Sequence, residues 1–326
     1  MISKEGLFNI KHQVRENPVA VRTLTSEIID GLLSEPKTLP SKLFYDKKGS
    51  ELFDMICSLD EYYPTRTEMK IMEDNISEIS TELGNGIILI ELGSGSSKKT
   101  RLLFDNLKDI RAYVPIDISS EYLSDSAVKI KSEYPDLKVI PLCEDYTTEL
   151  DLKLPADLKG RRVLYYPGST IGNFTPEEAE KFFLKIARLT KENDGLLIGV
   201  DLKKDKQILQ KAYNDSKGIT ARFNLNILNR LNKEFGGTFN LRFFRHKAVY
   251  NELQGRIEMY LISLTDQTVS VCNTQIPFMK NERILTELSY KYNINEFSAL
   301  TGGSFRRRKV WTDIRNYFSV QYYSRI

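Results

Sequence analysis

Apolar residues recur at helical spacing over Val21–Leu33, and Leu52–Leu59 carries one or two further helical turns. Pro64 disfavours helix at Tyr63, so Glu61–Arg66 is predicted to be a turn between helices. Residues 1–80 thus read as mostly helical. From residue 87 the pattern changes to short apolar runs separated by helical stretches. Ile87–Glu91, Arg111–Asp117, Leu137–Leu142, Arg161–Tyr166 and Gly195–Asp201 read as five successive strands. Thr175-Pro176-Glu177-Glu178 marks a helix start, with Thr175 as N-cap, Pro176 at the first helical position and Glu178 closing a capping box; that helix should run to about Leu189. The alternation predicts an α/β fold with a parallel, doubly wound sheet and a ligand at the carboxyl ends of its strands. Beyond residue 203 the alternation stops. Lys206–Leu231 reads as helices interrupted at Asp215–Gly218, and Leu241–Tyr250, Arg256–Thr265 and Thr268–Ile276 as antiparallel strands. Asn281–Tyr292 predicts a helix, and Lys309–Thr312 with Tyr317–Tyr323 a last strand pair for the main sheet.

The first strand opens into Glu91-Leu-Gly93-Ser-Gly95-Ser-Ser-Lys98-Lys99-Thr100. Glycines at 93 and 95 let the backbone approach a ligand where a Cβ would collide. Lys98 stands where a P-loop needs its second glycine and where a dinucleotide fingerprint needs its third, which argues against both. The remaining reading is a nucleoside-type methyl donor, S-adenosylmethionine, held by Gly-x-Gly and by acids at later strand ends. Asp117 ends the second strand and suits the ribose hydroxyls. Asp145 follows the third strand and can accept from an adenine amino group, with Tyr146 packing on the ring.

Composition narrows the partners. The net charge is only +3 and the one basic cluster is Arg306–Lys309, read as a solvated loop, so nucleic-acid binding is not indicated. No apolar run is long enough to span a membrane and no signal-peptide core opens the chain. Cys57, Cys143 and Cys272 form no motif and suit a reducing cytoplasm. With His12 and His246 the only histidines, neither a histidine-built metal site nor a histidine triad is supported; no metal is expected and His246 reads as structural or exposed. The expected partner is a small molecule, with no nucleic acid, no membrane and a monomeric chain.

Several blocks together resemble the histidine-specific Nα-methyltransferases, the first enzymes of ergothioneine biosynthesis. They are Leu43–Asp54, Glu61-Tyr-Tyr-Pro-Thr-Arg-Thr-Glu68, Glu91–Arg101, Tyr113–Ser119, Tyr166-Pro-Gly-Ser-Thr-Ile-Gly-Asn-Phe174, Ala212–Asp215, Ile257–Met259, Thr286–Ser289 and Trp311–Asp313. The resemblance spans nearly the whole chain. It implies a Rossmann-like class I methyltransferase core over 67–202 and 291–326, and a second, α+β, substrate-binding domain over 1–66 and 203–290. It implies S-adenosylmethionine contacts at Gly93, Lys99, Asp117, Asp145 and Tyr146. It further implies amino-acid contacts at Tyr62, Asn173 and Tyr213, with Tyr45, Met259, Glu287 and Ser289 around an imidazole. The implied reaction moves three methyl groups to the α-amine of L-histidine, giving hercynine.

Those residue types suit that chemistry. A free α-amine titrates at about 8 and must lose a proton before attacking a sulfonium methyl. No strong base stands out, so proton loss to water and catalysis by positioning are expected. The Asn173 carboxamide can accept from the amine without adding charge, and the Tyr62 and Tyr213 hydroxyls can donate to a carboxylate. Aromatic faces also attract a growing trimethylammonium. Glu287 and Ser289 supply partners for two ring nitrogens, although a spacing of two would diverge on a helix. A family relative acting on another aromatic amino acid, such as a tryptophan derivative, is the near alternative. A non-catalytic cofactor-binding protein is the distant one.

Overall fold

The computed structural model describes residues 18–95, 98–147, 150, 152 and 154–326; His12, and Ser96 and Ser97 of the glycine loop, lie outside the described residues. The strands in chain order are β1 (Lys37–Thr38), β2 (Ile87–Leu92), β3 (Ile110–Asp117), β4 (Leu142–Cys143), β5 (Arg161–Tyr166), β6 (Gly195–Asp201) and β7 (Phe244–Asn251). They continue with β8 (Arg256–Ser263), β9 (Gln267–Val271), β10 (Thr274–Phe278), β11 (Arg283–Tyr290), β12 (Phe305–Thr312) and β13 (Phe318–Arg325). Two compact units result, one from Pro64–Lys203 with Lys291–Ile326, the other from Glu16–Tyr63 with Lys204–Tyr290.

The first unit is built on a seven-stranded sheet in the order β12-β13-β6-β5-β2-β3-β4. Strands β6, β5, β2, β3 and β4 are parallel, and β13 and β12 add antiparallel at one side. Strands β2 and β6 are buried at every position, so they read as continuous apolar runs. The helix Pro176–Leu189 carries the expected capping box and buries Ala179, Phe182, Phe183, Ile186 and Ala187. Burying each phenylalanine stabilises by about 1.5–3 kcal/mol. Strand order reverses between β2 and β5, and ligands of such sheets bind beyond the carboxyl ends at that switch point. The loops entering it are those at Gly93 and Gly168.

The second unit has a four-stranded sheet, β1-β11-β8-β7, with β1 parallel to β11 and the other pairs antiparallel, and a separate hairpin, β9-β10. The helices Lys206–Tyr213 and Ile219–Glu234 pack on β7 and β8. Helix Ile219–Glu234 also packs on helix Lys47–Ile56, which is N-capped by Asp46 through the Gly49 amide. Among the described residues no helix is long and apolar enough to cross a membrane.

Five local expectations are corrected. Asn281–Tyr292 is not a helix: Arg283–Tyr290 is strand β11, and a register shift between Leu285 and Glu287 breaks its period-two pattern. Thr268–Ile276 is two strands, because Cys272 and Asn273 both take positive φ (50° and 60°) and turn the chain back. Of Leu137–Leu142, only Leu142 begins a strand; upstream the pairing reduces to a bridge between Val139 and Tyr113. The Arg306–Lys309 cluster is strand, not loop, and its charges line the sheet's edge strand, which discourages edge-to-edge pairing. The turn at Glu61–Arg66 ends sooner than expected, since helix Tyr63–Leu83 takes Pro64 into its first turn, where a missing N–H costs no helical bond.

Candidate active site

In the first unit the glycine loop is pinned to the end of β3. Gly93 N–H donates to the Ile116 carbonyl at 2.8 Å, and Gly93 adopts φ +71°. A Cβ on Gly93 would sit 3.3 Å from the Tyr146 hydroxyl, so only glycine keeps this face open beside that ring. Asp117 accepts from the Gly95 amide (3.2 Å) and the Ser119 amide (3.0 Å), which fixes its carboxylate at the strand end. Burial raises its pKa, opposed by those amide bonds. Asp145 accepts from the Thr147 amide at 2.9 Å, and Tyr146 stands edge-on to Tyr166 with ring centroids 5.6 Å apart. Gly93, Asp117, Asp145 and Tyr146 therefore all stand at or just beyond the carboxyl ends of β2, β3 and β4, where ligands of such sheets bind.

The acid inside the motif has another task. Glu91 is 1 % exposed and accepts from the Thr100 hydroxyl (2.7 Å) and the Tyr113 hydroxyl. Burial pushes its pKa up to about 7. It braces the helix Lys98–Asn106 against β3 from below the loop. Lys99, on that helix, forms an ion pair with Glu68, whose carboxylate is fully buried and also accepts from the Gly168 amide at 2.9 Å. Nothing in the sequence marked Glu68 as a buried charge. It ties the Lys99 cation to the loop that leaves β5.

That loop is under local strain. Gly168 (φ +78°) and Ser169 (φ +59°) take left-handed conformations in succession, which for serine costs of order 1 kcal/mol. Ser169 Oγ accepts from the Asp201 amide at 2.9 Å, and Thr170 Oγ1 donates to the Pro167 carbonyl at 3.0 Å. A short 3₁₀ turn, Thr170–Asn173, then delivers Asn173 just ahead of the Thr175 capping box. Asn173 is thereby fixed from both sides.

In the second unit, Tyr62 and Tyr213 meet edge to face (6.1 Å), and the Tyr213 hydroxyl lies 2.9 Å from Ser289 Oγ. Burial raises the Tyr62 pKa well above 10, with Tyr213 adding to the effect, so the Tyr62 phenol is neutral. Because β11 is a strand, Glu287 and Ser289 are two apart on one face rather than divergent. Met259 on β8 lies directly opposite Glu287 in the ladder, so its side chain joins that face. Tyr45 contacts Phe53 (5.9 Å) and Phe223 (6.0 Å), and Phe53 contacts Tyr62 (6.2 Å). Sequence reading did not single out Phe53 or Phe223. Both are isolated aromatics on helical faces, indistinguishable in pattern from core. The structure thus gathers Tyr45, Tyr62, Tyr213, Met259, Glu287 and Ser289 within one unit, and Gly93, Lys99, Asp117, Asp145, Tyr146 and Asn173 within the other.

Residues 24–325 match the family described as histidine-specific methyltransferase, SAM-dependent. The chain is 40% identical over 300 residues to the histidine N-alpha-methyltransferase of Mycolicibacterium smegmatis, covering 90% of this chain and 92% of that one. It is 39% identical over 296 residues to the protein of the same name from Mycobacterium tuberculosis, covering 89% and 91%. Among solved structures, a possible exported protein from Bordetella parapertussis shares the fold at TM-score 0.51 and 10% identity, covering 100% of this chain and 99% of that one. With its S-adenosylmethionine-type loop, its Rossmann-like sheet and a match over nearly its whole length, the chain belongs to the SAM-dependent, histidine-specific methyltransferase family.

Proposed function

We propose that this enzyme transfers three methyl groups in succession from S-adenosylmethionine to the α-amine of L-histidine, giving hercynine, the first step of ergothioneine biosynthesis, and that it works in the cytoplasm as a monomer. The observation that carries the reading is the polar face of the second unit. Glu287 and Ser289 share one side of β11, Met259 lies opposite, the Tyr213 hydroxyl stands beside Ser289, and Tyr62 packs on Tyr213. A ring with two nitrogens finds an acceptor in Glu287 and a donor–acceptor in Ser289. Tyr62 and Tyr213 donate to the substrate carboxylate. Asn173 accepts from the amine and turns its lone pair toward the reacting carbon.

S-adenosylmethionine, when bound, supplies an electrophilic methyl. The residues of this chain hold it: Asp117 takes the ribose hydroxyls, Asp145 and Tyr146 the adenine, and Lys99 the carboxylate, with Glu68 keeping the lysine in place. The amine sheds its proton to water before each transfer, and the protein contributes position and a dry, aromatic surround. The aromatic faces of Tyr62, Tyr213 and Phe53 accommodate a cation that grows by one methyl at each turn.

Successive methylation at one site makes a direct prediction. Offered Nα,Nα-dimethylhistidine, the enzyme should add one methyl and stop, and hercynine should accept none. A product distribution ending at monomethylhistidine, with the dimethyl compound left unconverted, would contradict the proposal.

A further inference from the structure

Beside the polar residues of the second unit, on the same side of the sheet, lies a chain of buried and half-buried hydrogen bonds that the proposed chemistry does not use. His246 Nε2 is 2.9 Å from the Tyr213 carbonyl oxygen, and His246 Nδ1 is 2.9 Å from Asn224 Nδ2. Asn224 is fully buried; its Nδ2 also donates to the Tyr260 carbonyl (3.1 Å), and its Oδ1 accepts from the Thr286 hydroxyl (2.8 Å). Thr286 Oγ1 lies 3.1 Å from the Met259 carbonyl oxygen and is 1 % exposed. Thr286 is the residue at which the β11 register shifts, immediately before Glu287.

These partners define the protons. A carbonyl can only accept, so Nε2 of His246 carries the hydrogen. Asn224 Nδ2 can only donate, so Nδ1 of His246 is bare. A doubly protonated ring would set one N–H against another at Asn224. Burial lowers the His246 pKa, in keeping with a neutral ring, while the carbonyl bond and Asp215 act the other way. The neutral ring can therefore bridge two elements that a cation could not. The helix end that carries Tyr213 is docked on β7 a second time, by Asn214, which exchanges side-chain bonds with both backbone groups of Ala248 (3.1 Å each).

We infer that His246 is a positioning residue for the acceptor: through the Tyr213 carbonyl and the Asn224–Thr286 link, it holds the tyrosine and the β11 bulge in one geometry and so sets the spacing between carboxylate-binding and ring-binding groups. The inference rests on the proposed acceptor site. A bulge offers two registers, and β11 slipping by one residue would turn Glu287 and Ser289 to the other face. Asn224, anchored at Tyr260 and Thr286 together, selects the register. His246 fixes Asn224's amide orientation and joins it to the helix end.

The test is steady-state kinetics on His246→Ala, His246→Gln and Thr286→Val, with cofactor binding measured separately by calorimetry. Two neutral hydrogen bonds are lost in His246→Ala, so the KM for histidine should rise about 10-fold, with the cofactor dissociation constant within about twofold of wild type. Gln can return both bonds, an amide N–H to Tyr213 and a carbonyl to Asn224, and should recover most of the loss. Thr286→Val keeps the side-chain volume while cutting the link at the bulge, and should also raise the KM for histidine. An unchanged KM in both His246→Ala and Thr286→Val, a parallel loss of cofactor binding, or no recovery in His246→Gln would overturn the inference while leaving the proposed function intact. Failure of the wild-type chain to bind or methylate histidine would overturn the function, and this inference with it.

Discussion

Replacing Glu287 with alanine should raise the KM for histidine by about 10- to 100-fold and leave the cofactor dissociation constant within about twofold. The range follows from losing a hydrogen bond to a charged acceptor, worth about 1.5–3 kcal/mol. The asymmetry follows from placement: Glu287 lies on β11 in the unit formed by Glu16–Tyr63 and Lys204–Tyr290, whereas Asp117, Lys99 and Asp145 lie in the other. Glu287→Gln keeps a carbonyl acceptor and should lose less. Titration of each variant with histidine and with S-adenosylmethionine separates the two affinities. Equal loss of both would contradict the role given to Glu287.

The second large effect concerns stability. Lys291 and Asp201 form an ion pair at 2.9 Å with both side chains 1 % exposed. Cutting Lys291 to alanine takes the cation away from a carboxylate in the core, and breaking such a pair from one side costs about 3–5 kcal/mol. Asp201 ends β6, and its amide donates to Ser169 in the strained loop that delivers Asn173, so activity should fall along with stability. The Lys291→Met, Asp201→Asn double variant removes both charges and should recover most of the stability, because the desolvation cost disappears with the pair. Chemical denaturation reads this as a midpoint well below wild type for the single variant and near it for the double. A single variant as stable as wild type would show that the pair is not a structural brace.

How much of this was legible beforehand depended on where period and chemistry agreed. Strands β2, β3, β5 and β6 announced themselves as apolar runs, whereas β4 did not, and Thr175-Pro176-Glu177-Glu178 gave its helix start with the capping box intact. Strand β11 was hidden because the bulge at Thr286 puts Leu285 and Leu288 three apart, a helical interval, where an unbroken strand would alternate. The difference matters for the site: on a helix Glu287 and Ser289 would diverge. On a strand they share a face. The β9–β10 hairpin was hidden for a related reason, since its left-handed turn is made by Cys272-Asn273 and lacks the usual glycine.

Buried polar partners were not legible at all. Glu68, Asn224 and Thr286 look like surface residues in sequence, and only folding brings them to Lys99, His246 and the bulge. His246, set between Arg245 and Lys247, reads as structural or exposed, and its bonds to Asn224 and Tyr213 make it structural. The candidate cofactor residues were legible one strand end at a time. The acceptor residues emerged only as blocks of a resemblance, and the sheet of the second unit supplies the physical reason for their grouping.

The most direct test of the account is to incubate the purified protein with S-adenosylmethionine and, separately, with histidine and with tryptophan, and to follow the mass of each amino acid. A gain of three methyl groups on histidine, with tryptophan unchanged, is the predicted result. Methylation of tryptophan with histidine left untouched would contradict it.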